Sequence, residues 1–327
     1  MTEYILCLSA FLLSIILTVT IENKLFPILK AKAKQPIYAE GPYWHLSKSG
    51  TPTMGGAAFV IAITLSLFIC ALVLIFHLED RIISGISLIT ALLFTLGNSL
   101  IGIFDDLMKL MRKKNAGLTP MQKIILQTVL AIIFLMARRH FFGDSTRVEL
   151  SFFSFDLGMI YYPMALILIL GVVNCANLTD GIDGLAASVG ATVGAVFLFL
   201  GQGATDIPII SSALIGGTLG FLFFNAHPAK IFMGDTGSLF LGAMTVNLAF
   251  SMKNPWTIIL IGSVYVIEGI SVILQVIFFK MTKKRLFKMA PLHHHLEKCG
   301  IAENRICVLA VIVTVVLSAI VPLALRI

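Results

Sequence analysis

The chain is written almost entirely in long apolar runs, most of them close to twenty residues. Ten are readable, at roughly 4–23, 53–76, 82–104, 121–139, 158–175, 184–201, 208–224, 237–252, 257–280 and 304–325. At about 1.5 Å per residue, a helix of that length crosses a hydrocarbon layer of about 30 Å. The pattern predicts an all-α polytopic membrane protein with about ten transmembrane helices. No linker is long enough to divide it and no repeat stands out, so residues 1–327 are expected to form one membrane domain. The first run is too long, and too poor in basic residues before it, for a cleaved signal peptide.

Four polar stretches interrupt the pattern: Asp105-Asp106, Asn177 to Gly184, Asn225 to Ser238 and Pro291 to Glu297. Each follows an odd-numbered run, so up-and-down threading gathers all four on one side. The loops of the other side are short, apart from 140–157. There Thr-Arg-Val-Glu-Leu-Ser-Phe-Phe-Ser-Phe partly alternates, and a small β-hairpin near 145–157 is expected.

Composition strengthens this reading. With 58% hydrophobic and 13% charged residues the chain is far from the usual balance of an aqueous domain. Of its 24 Lys and Arg, 17 fall in or beside the loops after odd-numbered runs. The positive-inside rule then makes those loops cytoplasmic and leaves both termini outside. The Arg138-Arg139 pair runs against it. The net charge of +7 calls for no nucleic acid, since runs such as Lys30-Ala-Lys-Ala-Lys34 anchor to anionic lipid. Five scattered cysteines imply packing rather than a disulfide framework.

The polar stretches carry the chemistry. Asp105 and Asp106 diverge by about 100° on a helix, so one should face a central site while the other orients it or pairs with Lys109. A pair that merely ends a helix is the alternative, and the macrodipole disfavours it. In Asn177-Leu-Thr-Asp-Gly-Ile-Asp-Gly184, Asp180, Asp183 and Asn177 sit without a basic neighbour and suit a cation, a hydroxyl, an amide or an imide. Asp183 could instead simply cap the next helix.

Phe224-Asn225 leads into Lys230-Ile-Phe232-Met-Gly-Asp235-Thr-Gly-Ser238, glycines ahead of a helix start that leave N–H groups free for phosphate. No Walker loop is present, and Asp235 would repel phosphate unless Mg²⁺ lies between them. Three adjacent histidines, His293, His294 and His295, fan out too widely to ligate one metal together. Diphosphate contacts suit them better. Lys48-Ser-Gly-Thr-Pro-Thr53-Met-Gly-Gly56 brings a lysine and hydroxyls to the same face, or simply starts a helix at Pro52. Glu268 is the one acid deep inside a run, a functional suspect unless a neighbour such as Gln275 satisfies it.

These stretches, in this order along nearly the whole chain, resemble the polyprenyl-phosphate N-acetylhexosamine-1-phosphate transferase superfamily. The Gly-Thr-Pro-Thr-Met-Gly-Gly segment and the unbroken histidine triplet are most similar to its muramoyl branch. The resemblance implies UDP-N-acetylmuramoyl-pentapeptide and undecaprenyl phosphate as substrates, giving a diphosphate-linked lipid and UMP with Mg²⁺ at a bacterial cytoplasmic membrane. By that resemblance Asp235 carries the metal, and Asp105, Asp106 and Asp180 form the catalytic cluster. Lys48, Thr53, Asn177, Asp183, Asn225 and Phe232 line the nucleotide pocket, and His293, His294 and His295 border phosphates and sugar. Lys109, Lys123, Lys230 and Glu268 are further phosphate or lipid contacts, and a homodimer is common in the family.

Phosphoryl transfer asks a site mainly to align groups and neutralise charge. The expectation is direct attack by the lipid phosphate, with Asp105 assisting. Two alternatives remain: a sister enzyme moving N-acetylglucosamine-1-phosphate, and a cation-coupled transporter using Glu268 and the Asp180 turn.

Overall fold

A computed structural model describes residues 2–33, 48, 50–112, 117–149, 151 and 153–325. Lys34 of the basic run, Ser49 beside Lys48, and residues 150 and 152 of the expected hairpin lie outside the described residues.

Among the described residues the regular structure is α-helical, with short 3-10 turns, apart from one hairpin and a single bridge. Its helices are α1 (Thr2–Lys32), α2 (Gly56–His77), α3 (Ile82–Arg112), α4 (Pro120–Phe142), α5 (Tyr161–Thr179), α6 (Leu185–Leu200) and α7 (Asp206–Asn225). They continue with α8 (Gly234–Ser251), α9 (Ile258–Ile261), α10 (Ser263–Thr282), α11 (Leu292–Lys298), α12 (Glu303–Ser318) and α13 (Val321–Leu325). Strands β1 (Arg147–Glu149) and β2 (Ser154–Asp156) pair antiparallel with Val148 opposite Phe155, where the partial alternation placed them.

Among the described residues, eight helical segments are long and apolar enough to cross a membrane, against the ten runs of the sequence. The difference has local causes. Helix α6 has 16 residues and is short for a span. Helix α8 is long enough, but Asp235, the small polar residues of its first turns and Asn247 dilute its apolar content. Its sequence can be polar because it does not meet lipid: every residue from Thr236 to Phe250 is buried by the protein itself. It runs through the middle of the bundle, packed on α2, α3, α5, α6 and α7. The run expected at 257–280 is also not continuous, because the helix breaks at Gly262 between α9 and α10.

Small residues let α8 sit this deep. A Cβ at Gly56 would come within 2.6 Å of the Gly237 Cα, and one at Gly102 would overlap the Asp235 carbonyl. The face of α1 that carries Ala10, Ser14 and Thr18 meets α7 in the same way, at Gly216 and Gly220. Helix α4 begins with a capping box, Thr119 and Gln122 bonding each other's backbone N–H, with Pro120 opening the helix. That fixed start sets the direction of Lys123 in its first turn.

The two ends of the bundle differ. At one end lie the first and last described residues and the hairpin: Glu3 pairs with Arg81 and Thr205, and Ser151 bonds the carbonyls of Leu323 and Ala324. Arg138 also belongs there, and it is no free surface charge. Buried at 3% exposure, it bonds both oxygens of Asp144 at 2.7 and 3.0 Å and the Phe250 carbonyl at 2.6 Å. Its charge is cancelled within the protein, which removes it from the count that orients the chain. The four polar stretches gather at the opposite end.

Candidate active site

Asp106, buried in the last turns of α3, lies against the start of α8. Its Oδ2 accepts hydrogen bonds from the Thr236 N–H at 2.9 Å and the Thr236 hydroxyl at 2.7 Å, and its Oδ1 accepts from the Asp235 N–H at 3.2 Å. A carboxylate from α3 therefore caps the N-terminus of α8, where backbone N–H groups have no helical partner. Gly234 makes the approach feasible: its φ is +73°, and a Cβ there would stand 2.7 Å from Asp106 Oδ2.

Asp105, turned about 100° from Asp106 round the helix, is held by lysines instead. Lys109 Nζ lies 2.6 Å from its Oδ2, and Lys123 Nζ lies 3.0 Å from its Oδ1, which also accepts from the Leu118 N–H at 2.7 Å. The same two ammonium groups reach Asp235, at 3.1 Å for Lys109 and 2.5 Å for Lys123. Two lysines are thus shared among three aspartates whose oxygens come within 4.8 Å of one another. An all-oxygen carboxylate set of this kind has the chemistry to hold a hard metal ion, and here the two ammonium groups neutralise most of the carboxylates' charge.

Asp180 closes α5 beside this group and differs from it. Among the described residues its carboxylate makes no hydrogen bond or ion pair. Burial, and then the charges of Asp235 and Asp106, hold its acid well above the usual carboxylate range.

A second nest surrounds Asp183, which is buried. Its Oδ1 takes Lys48 Nζ at 2.7 Å, and its Oδ2 lies 3.0 Å from both His227 Nδ1 and the Ala229 N–H. Glu303, in the first turn of α12, completes it: Oε2 accepts from Lys48 Nζ at 2.8 Å and from the Asp183 N–H at 2.9 Å. Neither His227 nor Glu303 stood out in the sequence. His227 was one residue of a loop read for its glycines. Glu303 looked like the charge that ordinarily opens a helix.

The other expected residues have definite places. Asn225 is buried and spent on bracing, with its amide on the Ile231 carbonyl at 2.9 Å and its oxygen on the Gly184 N–H at 3.1 Å. Asn177 bonds Ser238 at 2.8 Å and ties α5 to α8. Phe232 is half-buried, and its backbone bonds Pro52 and Gly55, which brings Thr53 alongside Gly234. Lys230 is exposed.

The histidine triplet fans out as expected. His293 is fully buried, and a Cβ on Gly181 would overlap its Nε2, so it closes on the Asp180 turn. His294 Nδ1 lies 2.6 Å from Glu297 Oε2, while His295 Nδ1 accepts from the Lys288 N–H at 3.1 Å. Glu268 supports the triplet from α10. Its Oε1 accepts from the His293 backbone N–H at 3.1 Å, whereas the His293 Nδ1, 3.2 Å from Oε2, is out of line for a hydrogen bond.

The comparisons with known proteins agree with this arrangement. A family model described as Glycosyl transferase family 4 matches residues 86–253, which carry Asp105 through Asp235. A phospho-N-acetylmuramoyl-pentapeptide-transferase signature matches residues 48–60, the Lys48 to Gly56 stretch. Among curated proteins the chain is 42% identical over 313 residues to the phospho-N-acetylmuramoyl-pentapeptide-transferase of Halalkalibacterium halodurans, covering 94% of each. It is 43% identical over 307 residues to that of Bacillus subtilis, covering 92% of each. A relative of the same name from Clostridium perfringens is 41% identical over 313 residues, with 94% of this chain and 93% of the relative covered. A transporter reading does not survive these matches. With two acid nests at one end of a helical bundle and identity of this extent over nearly its whole length, the chain belongs to the phospho-N-acetylmuramoyl-pentapeptide-transferase family.

Proposed function

We propose that the protein transfers phospho-N-acetylmuramoyl-pentapeptide from its UDP-linked donor to undecaprenyl phosphate, yielding the first lipid-linked peptidoglycan precursor and UMP. An oxygen of the lipid phosphate attacks the sugar-bearing phosphorus of the donor, and the bond from that phosphorus to the bridging oxygen breaks so that UMP leaves. The observation that carries this reading is the sharing of Lys109 and Lys123 among Asp105, Asp106 and Asp235 at one end of a lipid-facing bundle. Such a site can meet a soluble donor and a lipid-held acceptor together.

The residues divide the work. Asp235, with Asp105, would hold Mg²⁺, which when bound supplies Lewis-acid neutralisation of the diphosphate. Lys109 and Lys123 stand ready to move from carboxylate to phosphate oxygens as negative charge develops. Asp106 is committed to the start of α8 and acts by holding Asp235 in place. The lipid phosphate is largely ionised at neutral pH, its second pKa being near ~6, so little proton removal is needed. Asp180, the carboxylate with no partner, is better disposed to take the residual proton than Asp105, which two lysines and a backbone N–H already engage. Lys48 and Asp183 receive the nucleotide end of the donor, and His293 closes the pocket at Gly181. The site faces the cytoplasm, where the nucleotide donor is found.

UMP release by purified protein in detergent, with undecaprenyl phosphate and Mg²⁺, tests the proposal. UDP-N-acetylmuramoyl-pentapeptide and UDP-N-acetylglucosamine are offered separately, with Asp235→Ala as control. Release with the muramoyl donor alone, lost in the control, is the expected result. Release with the glucosamine donor alone would move the protein to the sister activity.

A further inference from the structure

Glu303 lies beyond the residues matched by either family pattern, at the start of a helix that contributes nothing to the Asp105–Asp235 nest. Yet its carboxylate joins three separate pieces of chain. One oxygen, Oε2, takes both the Lys48 ammonium at 2.8 Å and the Asp183 N–H at 2.9 Å, while Oε1 stands 3.6 Å from His227 Nδ1. The side chains of Lys48, Glu303 and Asp183 are shielded, at 18%, 11% and 3% exposed, while His227 at 39% forms the open edge of the cluster. We infer that Glu303 is a positioning residue for the nucleotide end of the site, fixing the Lys48 ammonium and the Asp183 turn in the one arrangement that receives the UDP portion of the donor. The inference rests on the proposed transferase reading.

An ammonium has three N–H donors. Asp183 and Glu303 hold two of them, which leaves Lys48 one donor and a fixed direction in which to offer it. The Asp183 carboxylate is held independently, by His227 and by the Ala229 N–H, so it keeps its orientation when Glu303 is removed. Lys48 does not. With a single anchor it swings on a flexible four-carbon stem, and the Asp183 N–H loses its acceptor. Loss of Glu303 should therefore weaken the grip on the donor's nucleotide end while leaving the lysine–aspartate nest, where the phosphates react, unchanged.

The test compares Glu303→Ala and Glu303→Gln in the full-length protein in detergent. The readouts are KM for the UDP donor, KM for undecaprenyl phosphate, inhibition by UMP, and melting temperature. Glu303→Ala should raise the donor KM and the UMP inhibition constant about tenfold or more, the consequence of losing one buried charged acceptor. The acceptor KM should stay within about twofold. Glu303→Gln keeps an oxygen in the place of Oε2 and should recover most of the loss. An unchanged donor KM in Glu303→Ala overturns the inference, and so does Glu303→Gln performing no better than Glu303→Ala. Both KM values worsening together with a fall in melting temperature would assign Glu303 a purely structural part, which also overturns it. Wild-type protein that makes no lipid product from the muramoyl donor would overturn the functional reading, and the inference with it. Active wild type with an unaffected Glu303→Ala overturns the inference alone.

Discussion

Replacing Asp106 separates chemistry from architecture. In Asp106→Ala the Asp235 N–H, the Thr236 N–H and the Thr236 hydroxyl all lose their acceptor in a buried place. Each unsatisfied donor costs about 1–3 kcal/mol, and water entering from the site recovers part of that. Loss of the negative charge at a helix N-terminus adds up to about 2 kcal/mol. A net destabilisation of roughly 3 kcal/mol follows, which for a chain of this size lowers the melting temperature by roughly 4 °C. Asp106→Asn keeps an acceptor oxygen and the side-chain volume and should lose only about a third of that. The assay is thermal unfolding in detergent with a chelator present, so that metal loss does not contribute, run beside UMP release. Activity should fall in step with stability across the two variants. Asp106→Ala that melts within about 1 °C of wild type yet is inactive would refute the capping argument and return Asp106 to the reacting groups.

Other outcomes follow from the same contacts. Asp180→Asn should abolish most turnover yet raise the melting temperature near pH 8. A carboxyl whose acid strength is weakened by folding destabilises the folded state once the unfolded chain can ionise, so the gain should shrink as pH falls toward about 4. A gain that is the same at pH 4 and pH 8 would contradict this. Arg138→Met strands the Asp144 carboxylate and the Phe250 carbonyl and should cost about 3–5 kcal/mol in denaturation, with Lys at 138 a poor substitute for a two-pronged contact. Gly102→Ala, whose added methyl overlaps the Asp235 carbonyl, should lower both melting temperature and UMP release. Chelation with EDTA should stop UMP release and added Mg²⁺ restore it; release that survives exhaustive chelation would remove the metal from the reading.

Much of the fold was legible because lipid imposes length and hydropathy on whatever it touches. Helix α8 escaped that rule, and its polar residues read as weakness when they report burial in protein. That Asp105 and Asp106 would take different partners was legible from helix periodicity, but which acid met α8 depended on α8 lying against α3. Glu303 was not legible. Its partners lie 120 and 255 positions away along the chain, and a lone acid at the head of an apolar run looks like ordinary helix punctuation. Arg138 had a readable signal, since Asp144 follows six residues later, but a charge count treats every arginine as exposed. Glu268 was marked as unusual by its depth, while its role as an acceptor for the His293 N–H required the chain to return to it 25 residues later.

The burial of α8 has a consequence for how the protein meets different membranes. Bilayers vary in thickness, and helices that face lipid respond by tilting or sliding to match it. Helix α8 has no lipid to match. It carries Asp235 at one end and at the other is moored through Phe250 to Arg138, so its length and setting are fixed by side chains rather than by acyl chains. Changes in lipid composition act directly on the outer helices and reach Asp235 only through them. Asp235 thus sits on a helix that does not feel the thickness of the protein's own solvent.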